Sequence, residues 1–448
     1  MSTSDSLIAR PVAPDEQALT PPAPGEFVIL GWPDMNGVIR GKALRPAAFE
    51  DALREGTVIT DLVLALDPTD APITDYEDLG IRSGAGDLIL QPDPATLREL
   101  SWRPGWRLCL ATAYWRDGTR CELASREVLR SALGTMAGLG YETLSAFEYE
   151  IRVGDRDGNP LSSGVSYSAG DIQRYDEFIQ RLLPALEALG VGLTAVHTEA
   201  APGLLELNIA ARPHLEAADD ALFLKFAVKE VAASLSMRAS FLAKPIAGEE
   251  GSSGHIHLSC WRDGQNAFAA TDPVGDLPPA LAAATAGVLQ HLPGASLFLN
   301  PTINSYKRLV PGYFAPTNVS WGIENRSAAV RVIRSDYPER CRLECRRPGA
   351  DANPYLALAA LVAAAADGIA KEMTPPPPVA GDAYVRDDIE ALPTSLESAL
   401  LAFRQDVALR RALGERFSDY YAISRSWELK AWQQTVSDWE RERYERAV

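Results

Sequence analysis

Glutamate, histidine and arginine residues cluster in four short segments, at alternate positions in three of them, and these residue types could together bind metal ions. The segments span residues 147–150, 199–206, 254–257 and 342–346. Each has the composition of a β-strand, in which alternate side chains lie on one face. Because buried charges need charged partners or metal ions, such a face cannot be an apolar core. The pattern therefore predicts a functional site on a sheet.

The acidic residues and one histidine suit a pair of divalent cations. Mg²⁺ and Mn²⁺ prefer oxygen ligands, and Mn²⁺ also accepts imidazole. A single glutamate of this kind would ordinarily be a solvated side chain at a strand edge, but the joint pattern favours a two-metal site for phosphoryl transfer. The expected ligands are Glu150, Glu199 and Glu206 for one ion, and Glu148, His255 and Glu344 for the other.

Five arginines lie close together in the sequence of an otherwise acidic protein and indicate a polyanionic ligand. They are Arg308, Arg326, Arg331, Arg342 and Arg346. Guanidinium groups bind carboxylates and phosphates through paired hydrogen bonds. Residues 37–42 are one residue short of a P-loop, and no GxGxxG motif opens a helix. Any nucleotide is therefore expected to bind by another route.

Composition narrows the class of protein. The chain has 448 residues, of which 46% are hydrophobic and 23% charged, as in a globular protein of about two unequal domains. A net charge of -17 disfavours nucleic acid and anionic membranes as partners. Five cysteines without CxxC spacing favour reduced thiols. With no apolar N-terminal segment and no apolar run long enough to span a bilayer, we expect a cytoplasmic protein.

Local signals predict the elements that must position these residues. Residues 1–25 are rich in proline and alanine and are expected to be a flexible tail. The Asn36-Gly37 pair predicts a hairpin turn. Periodicity predicts helices at 46–56, 125–138, 175–189, 218–235 and 354–370, and strands at 27–30, 38–42, 58–66, 87–90, 145–153, 192–197 and 205–209.

Three further segments, together with the metal-binding ones, resemble the glutamine synthetase family from about residue 25 to the end. They are residues 304–313 (Asn-Ser-Tyr-Lys-Arg-Leu-Val-Pro-Gly-Tyr), 325–328 (Asn-Arg-Ser-Ala) and 349–355 (Gly-Ala-Asp-Ala-Asn-Pro-Tyr). The resemblance implies an α+β / α/β fold: a β-grasp domain at 26–110, then a catalytic domain at 111–448 with a curved antiparallel sheet and surrounding helices. It also implies rings of subunits, a hexamer or dodecamer, whose neighbours share each active site.

The resemblance further implies a reaction and roles for single residues. The reaction is ATP-dependent ligation of glutamate through γ-glutamyl phosphate, with two to three Mg²⁺ or Mn²⁺ ions. Arg308 would bind the α-carboxylate of glutamate, Arg346 its γ-carboxylate, and Gly251 would lie against the substrate. Arg326, Arg331 and Arg342 would face the ATP phosphates, and His257 and Ser259 would line the nucleotide side.

Departures from the family pattern concern the amine that attacks. Ammonia-using members have a glutamate where this chain has Phe314, and an Asp-Gly-Ser-Ser segment that is missing between residues 57 and 80. Asp61 and Asp67 are the nearest replacements. An asparagine that contacts glutamate is Glu250 here, and a glutamine between two metal ligands is Leu204.

These departures resemble the γ-glutamylamine ligases, such as glutamate–putrescine ligase, which join glutamate to a polyamine or another organic amine. An aromatic ring in place of a carboxylate adds apolar surface for the amine substituent, at about 25 cal/mol per Å². The amine must still lose a proton, and Glu250, Asp61 and Asp67 are alternative bases. Other readings are an ammonia-dependent glutamine synthetase, a non-catalytic structural or regulatory descendant, and a di-metal amidohydrolase.

Overall fold

The N-terminal part of the chain folds into a six-stranded mixed sheet. The computed structural model describes residues 25–269 and 276–448, so nearly all of the predicted tail lies outside the described residues. The strand order is β2-β1-β6-β4-β3, with β5 beside β6. The elements are β1 (Phe27–Pro33), β2 (Ile39–Leu44), α1 (Pro46–Glu55), β3 (Thr57–Thr60), β4 (Asp87–Pro92), β5 (Arg98–Glu99) and β6 (Trp106–Tyr114).

The predicted Asn-Gly turn between β1 and β2 is confirmed. Gly37 has a φ of 78°, and the Asp34 carboxylate accepts the backbone N–H groups of Asn36 and Val38. These bonds satisfy the turn amides locally, as expected of an aspartate in this position. The turn thus fixes the antiparallel register of the two strands.

The predicted strand at 58–66 is wrong in its second half. Strand β3 ends at Thr60, and Asp61–Ala65 forms a 3₁₀-helix. The Thr60 hydroxyl accepts the backbone N–H of Leu62 and so begins this helix. A threonine with strand propensity therefore acts as a helix cap here.

A second, ten-stranded sheet forms the larger part of the molecule. Its main order is β14-β15-β16-β12-β7-β9-β8, and neighbours pair antiparallel except β14 with β15. Its strands are β7 (Glu142–Gly154), β8 (Leu193–Thr198), β9 (Leu204–Ile209), β10 (Arg212–Pro213), β11 (Arg238–Ser240), β12 (Gly254–Arg262), β13 (Gln265–Asn266), β14 (Trp321–Ile323), β15 (Val330–Ile333) and β16 (Arg342–Cys345). The expected fold class, a mixed α/β protein with a largely antiparallel second sheet, is confirmed.

Helices surround this sheet, and the predicted ones form close to their expected bounds. The short helix α3, helix α6 and the helices after α7 were not predicted from the sequence. The helices are α2 (Ser125–Gly138), α3 (Ala169–Ile172), α4 (Asp176–Leu189), α5 (Glu216–Ser234), α6 (Pro279–Leu299), α7 (Pro354–Ala370), α8 (Leu396–Gln405), α9 (Val407–Leu413), α10 (Glu415–Gln433) and α11 (Asp438–Tyr444).

Helices α6 and α7 cross in direct backbone contact. A Cβ atom at Gly287 would lie 2.2 Å from the Ala364 carbonyl oxygen, and one at Gly368 would lie 2.1 Å from that of Ala283. Both helices are predominantly apolar, and most of their residues are buried. Among the described residues, no helix combines the length and the apolar character that a membrane span requires.

A buried histidine joins three of these helices. His291 on α6 is 3% exposed, its Nδ1 lies 2.8 Å from Asp406 and its Nε2 lies 3.0 Å from Asp367. Burial disfavours the charged ring, but hydrogen bonds to Asp406 and Asp367 outweigh it and raise the pKa of His291. The protonated ring therefore connects α6 with α7 and with the junction of α8 and α9.

We expect His291→Gln to reduce the free energy of unfolding by about 2–3 kcal/mol near pH 6. A folded pKa above the unfolded value means that this stabilisation is fully present below about pH 6.5 and is lost as pH rises through the raised pKa. The difference in melting temperature between wild type and variant should therefore narrow at alkaline pH. Lys371→Met is the control, since Lys371 is exposed and also pairs with Asp367. A difference that widens at alkaline pH would contradict the charged ring.

Candidate active site

The predicted metal ligands lie on one face of the second sheet. Strand β7 is paired with β9 on one side and with β12 on the other, and β16 follows β12. Residues that are directly opposite on neighbouring strands project to the same face. The opposite pairs are Glu150 with Glu206, Glu148 with His255, and His257 with Glu344.

Within the described part of the chain, three groups of side chains offer ligand atoms within 4.8 Å of one another. They are Glu148, His257 and Glu344; Glu148, Glu206 and His255; and His197, Glu199 and Glu206. The expected trio of Glu148, His255 and Glu344 is also close, since His255 Nδ1 lies 3.5 and 3.6 Å from the two carboxylates. The arrangement differs from the predicted groups by including His257 and His197, and Glu150 belongs to none of the three.

Basic side chains surround Glu148 and Glu344 and favour the ionised forms of these carboxylates. Burial raises the pKa of Glu344, but Arg346, His257 and His255 outweigh it and lower the pKa to about 2. Burial likewise opposes the charge of Glu148, and His257 and His255 bring its pKa well below the usual value. Glu344 is only 1% exposed, so its charge needs these partners.

His197 was missed by the sequence analysis although it could have been found by strand alternation. It lies two residues before Glu199. Its Nδ1 atom is 3.2 Å from Glu199, and its Nε2 atom is 3.2 Å from Glu206. Burial lowers the pKa of His197, but the two carboxylates raise it to about 10. Tyr167 stacks on the ring at 4.4 Å, from a loop position with a φ of 53° and 72% exposure. No sequence signal indicated Tyr167.

Glu150 accepts a hydrogen bond from a backbone N–H group and lies close to a second carboxylate, that of Glu206. Its carboxylate accepts the Ser253 N–H at 2.7 Å. Burial, together with the nearby charge of Glu206, raises the pKa of Glu150. A cation between the two carboxylates would remove this repulsion.

The donor set fits divalent cations. Carboxylate oxygens predominate, two histidines from β12 are buried among them, and the His255 Nε2 atom is buried without a hydrogen-bond partner in the described part of the chain. Oxygen donors with some imidazole suit Mg²⁺ or Mn²⁺. We therefore retain all six predicted ligands as candidates and add His197 and His257 to them.

A cavity of about 120 Å³ opens beside these carboxylates. His257, Ser259 and Arg342 contribute to its wall, as expected for the nucleotide side. Arg342 Nε donates to His257 Nδ1 at 3.0 Å, and His257 Nε2 lies 2.9 Å from Glu148. Arg342 and Glu148 therefore fix the orientation of the His257 ring from opposite sides.

Arg331, expected to face ATP phosphate, and Arg346, expected to bind the γ-carboxylate, both contact Glu344. Arg331 Nη1 lies 3.0 Å from Glu344, and Arg346 donates to the same carboxylate. Arg346 Nε also donates to the Arg326 carbonyl oxygen at 3.1 Å, and the Arg326 side chain is exposed. The guanidinium groups of Arg331 and Arg346 therefore lie at one edge of the carboxylate cluster, where they could neutralise an anionic ligand.

Arg308 is a buried cation with no carboxylate partner within 4 Å among the described residues. It is 2% exposed, and its donors bind the Ser253 hydroxyl at 3.1 Å and the Arg347 carbonyl oxygen. Burial lowers its pKa. A Cβ atom at Gly251 would lie 2.5 Å from Arg308 Cγ, so only glycine leaves room for this side chain. An unpaired buried guanidinium is suited to a substrate carboxylate.

A sequence profile described as "Glutamine synthetase, catalytic domain" matches residues 122–444. The chain belongs to the glutamine synthetase family. It is 34% identical to the γ-glutamylethanolamide synthetase of Streptomyces coelicolor over 93% of this chain and 91% of the relative. It is 33% identical to the glutamine synthetase of Thermus thermophilus over 94% and 95%. A solved structure of GmaS with ADP superposes with a TM-score of 0.83 at 31% identity, covering 93% of this chain and 96% of that one.

Membership of the glutamine synthetase family defines the reaction class. This member is an ATP-dependent carbon–nitrogen ligase, and the substrates of the family are glutamate, ATP and ammonia or an amine. The family also uses divalent metals. This reaction class differs from that of a di-metal amidohydrolase, which is therefore excluded.

The residues that distinguish this chain from ammonia-using members of the glutamine synthetase family differ in exposure and, in the described chain, do not form one continuous pocket surface. Phe314 is 56% exposed with a φ of 50°, at the tip of a loop. Glu250 has no ion-pair partner in the described chain, and burial together with Glu150 and Glu199 raises its pKa. Leu204 is fully buried on β9 and exposes no surface to the solvent.

Asp61 and Asp67 lie in the N-terminal domain and bind groups of that domain or of α10. Ser83 donates to Asp61 at 3.3 Å. Asp67 accepts the Thr69 N–H at 2.8 Å and the Trp427 indole at 3.3 Å. Among the residues that the structure describes, neither aspartate has a hydrogen bond or an ion pair with Phe314 or Glu250.

Proposed function

We propose that this enzyme joins the γ-carboxylate of glutamate to an organic amine, a polyamine such as putrescine or a monoamine, through γ-glutamyl phosphate. The observation that carries the proposal is the exposed phenyl ring of Phe314 in place of a carboxylate. A small hydrated cation gains nothing from this ring, whereas an alkyl substituent gains from apolar contact. The identity with a γ-glutamylethanolamide synthetase supports this choice.

In this proposal the charged side chains neutralise the negative charges of glutamate, of the ATP phosphates and of the acyl phosphate. Bound Mg²⁺ or Mn²⁺ would neutralise and orient the phosphoryl group. Arg308 would hold the α-carboxylate of glutamate, while Arg346 and Arg331 would offset negative charge on the acyl phosphate. Arg326 and Arg342 would contact the other ATP phosphates. The amine nitrogen then bonds to the γ-carbon, and phosphate leaves with the former carboxylate oxygen.

Glu250 is the best of the three candidate bases. A free alkylamine is mostly protonated at neutral pH, so a nearby group must accept a proton before attack. In the described chain Glu250 has no ion-pair partner, and burial, followed by the nearby charges of Glu150 and Glu199, raises its pKa. Asp67 already accepts several hydrogen bonds. Asp61 would serve only from a neighbouring subunit in a hexameric or dodecameric ring.

The test is phosphate release with ATP, Mg²⁺, glutamate and a panel of nucleophiles that includes ammonium, methylamine, ethanolamine and putrescine. We expect an organic amine to give a higher kcat/KM than ammonium. Phe314→Glu should move the ratio of the two values toward ammonium by about tenfold, since one charge-assisted contact contributes on the order of 1.4 kcal/mol. Phe314→Leu is the matched control and should keep the preference for the organic amine.

An ammonia-dependent glutamine synthetase is the second candidate, and the identity with the Thermus enzyme favours it. In that case ammonium would be the best nucleophile of the wild-type enzyme. Such a result would overturn the organic-amine half of the proposal and leave the acyl-phosphate half standing.

A further inference from the structure

Arg347 is a fully buried arginine that no site residue or comparison explains. It follows Arg346 and is 1% exposed, with no carboxylate within 4 Å in the described chain. Burial is the main influence on its pKa and lowers it to about 9. A buried cation without an ion pair is costly to keep. Hydrogen bonds from its side chain must therefore offset part of this cost.

The guanidinium of Arg347 holds two loops by their backbones. Nη1 donates to the Pro316 carbonyl oxygen at 2.6 Å, and Nη2 donates to that of Pro393. A planar fork can bind two such oxygens at once, which an ammonium or an apolar side chain cannot do in the same geometry. Pro316 is two residues after Phe314, and the intervening Ala315 is 1% exposed. The anchor at Pro316 therefore limits where Phe314 can lie.

The backbone of Arg347 contacts the glutamate side of the site. Its carbonyl oxygen accepts a hydrogen bond from Arg308 and another from Asn300 at 3.3 Å. Arg347 thus has two connections. Its backbone contacts Arg308, the arginine proposed to bind glutamate, and its side chain contacts the loop proposed to receive the amine. Substitution of the side chain removes the second connection and keeps the first.

We propose that Arg347 is a positioning residue that holds the Phe314 loop against the acyl phosphate, so that amine rather than water attacks. The inference rests on the proposed function, because it assumes that the Phe314 loop receives the nucleophile. In ligation the amine nitrogen bonds to the γ-carbon, the amine loses a proton, and phosphate leaves. In the competing reaction water bonds to the same carbon, which regenerates glutamate and releases phosphate.

The test compares wild type, Arg347→Met and Arg347→Lys. Phosphate released and amide formed are measured with whichever nucleophile, ammonium or an organic amine, wild type uses best. We expect Arg347→Met to lower kcat/KM for the nucleophile about tenfold, as for loss of one strong hydrogen bond, and to raise the phosphate released per amide. The KM for glutamate should change less than about threefold, since the backbone contact to Arg308 persists. Arg347→Lys should restore part of the coupling.

A double-mutant cycle with Phe314→Ala decides whether Arg347 acts through the loop. In the Phe314→Ala background, the further effect of Arg347→Lys on phosphate per amide should be small, because coupled residues are not additive. Three outcomes would give Arg347 a purely structural role and overturn the proposal. They are full additivity in the cycle, equal losses in the kinetic parameters for glutamate and for the nucleophile, and failure of both Arg347 variants to fold. Since the assay uses the preferred nucleophile, discovery that ammonium is preferred would leave this test intact.

Discussion

Replacing Glu148 by glutamine is expected to lower kcat/KM for ATP-dependent ligation by on the order of 10³-fold. Glu148, like Glu206, belongs to two of the three ligand groups, and its carboxylate is close to both His255 and His257. Glutamine keeps the shape of the side chain but removes the charge, so two histidines lose their acidic partner and the cluster loses affinity for cations. Phosphate release at saturating Mg²⁺ or Mn²⁺ measures the effect.

Glu142→Gln is the matched control for Glu148→Gln. Glu142 lies on the same strand β7 but is exposed. We expect this control to retain activity within about twofold and to melt at the wild-type temperature, as exposed substitutions usually do. Isothermal titration of the metal provides a second readout: Glu148→Gln should bind Mn²⁺ more weakly, and Glu142→Gln should not. Wild-type activity in folded Glu148→Gln would contradict the metal site.

The second large effect is expected for Arg308→Lys, which should raise the KM for glutamate about 30- to 100-fold. Arg308 is buried, lacks a carboxylate partner within the described chain and is packed against Gly251. Lysine retains the charge but loses the planar pair of donors, which costs about 2–3 kcal/mol for a carboxylate. Steady-state kinetics with varied glutamate at saturating ATP measures this change.

The KM for ATP separates this effect from a general loss of structure. It should change little in Arg308→Lys, since the candidate nucleotide cavity is lined by other residues such as His257 and Arg342. Arg386→Lys is the control, because Arg386 is exposed and pairs with Asp388. Equal increases in both KM values, or an unchanged KM for glutamate, would argue against the α-carboxylate role.

The sequence predicted the face of the sheet better than the contacts on it. Alternation places Glu148 and Glu150 on one side of a strand whatever its neighbours are. It does not give the register between strands about a hundred residues apart, and that register brings His257 opposite Glu344. His197 was not predicted because Glu199 and Glu206 were both assigned to a metal ion, and the sequence does not show that an imidazole ring lies between their carboxylates.

Other features depend on loops or on burial, which single-sequence patterns describe poorly. The Asp61–Ala65 helix follows from one hydroxyl bond of Thr60 within a segment of strand-forming residues. Tyr167 reaches His197 from a loop with a left-handed backbone, which has no periodic signal. Helix α6 contains Pro293 and internal glycines, residues that normally argue against a helix, and it forms because its packing with α7 outweighs them.

Transfer of oxygen-18 is the most direct test of acyl-phosphate ligation. Glutamate labelled in both γ-carboxylate oxygens is incubated with ATP, Mg²⁺ and the best amine of the panel, and the phosphate is examined by mass spectrometry. The account predicts that each phosphate carries one labelled oxygen and that the amide retains the other. Unlabelled phosphate formed in step with the amide would contradict it, because the carboxylate oxygen would then never have been bonded to phosphorus.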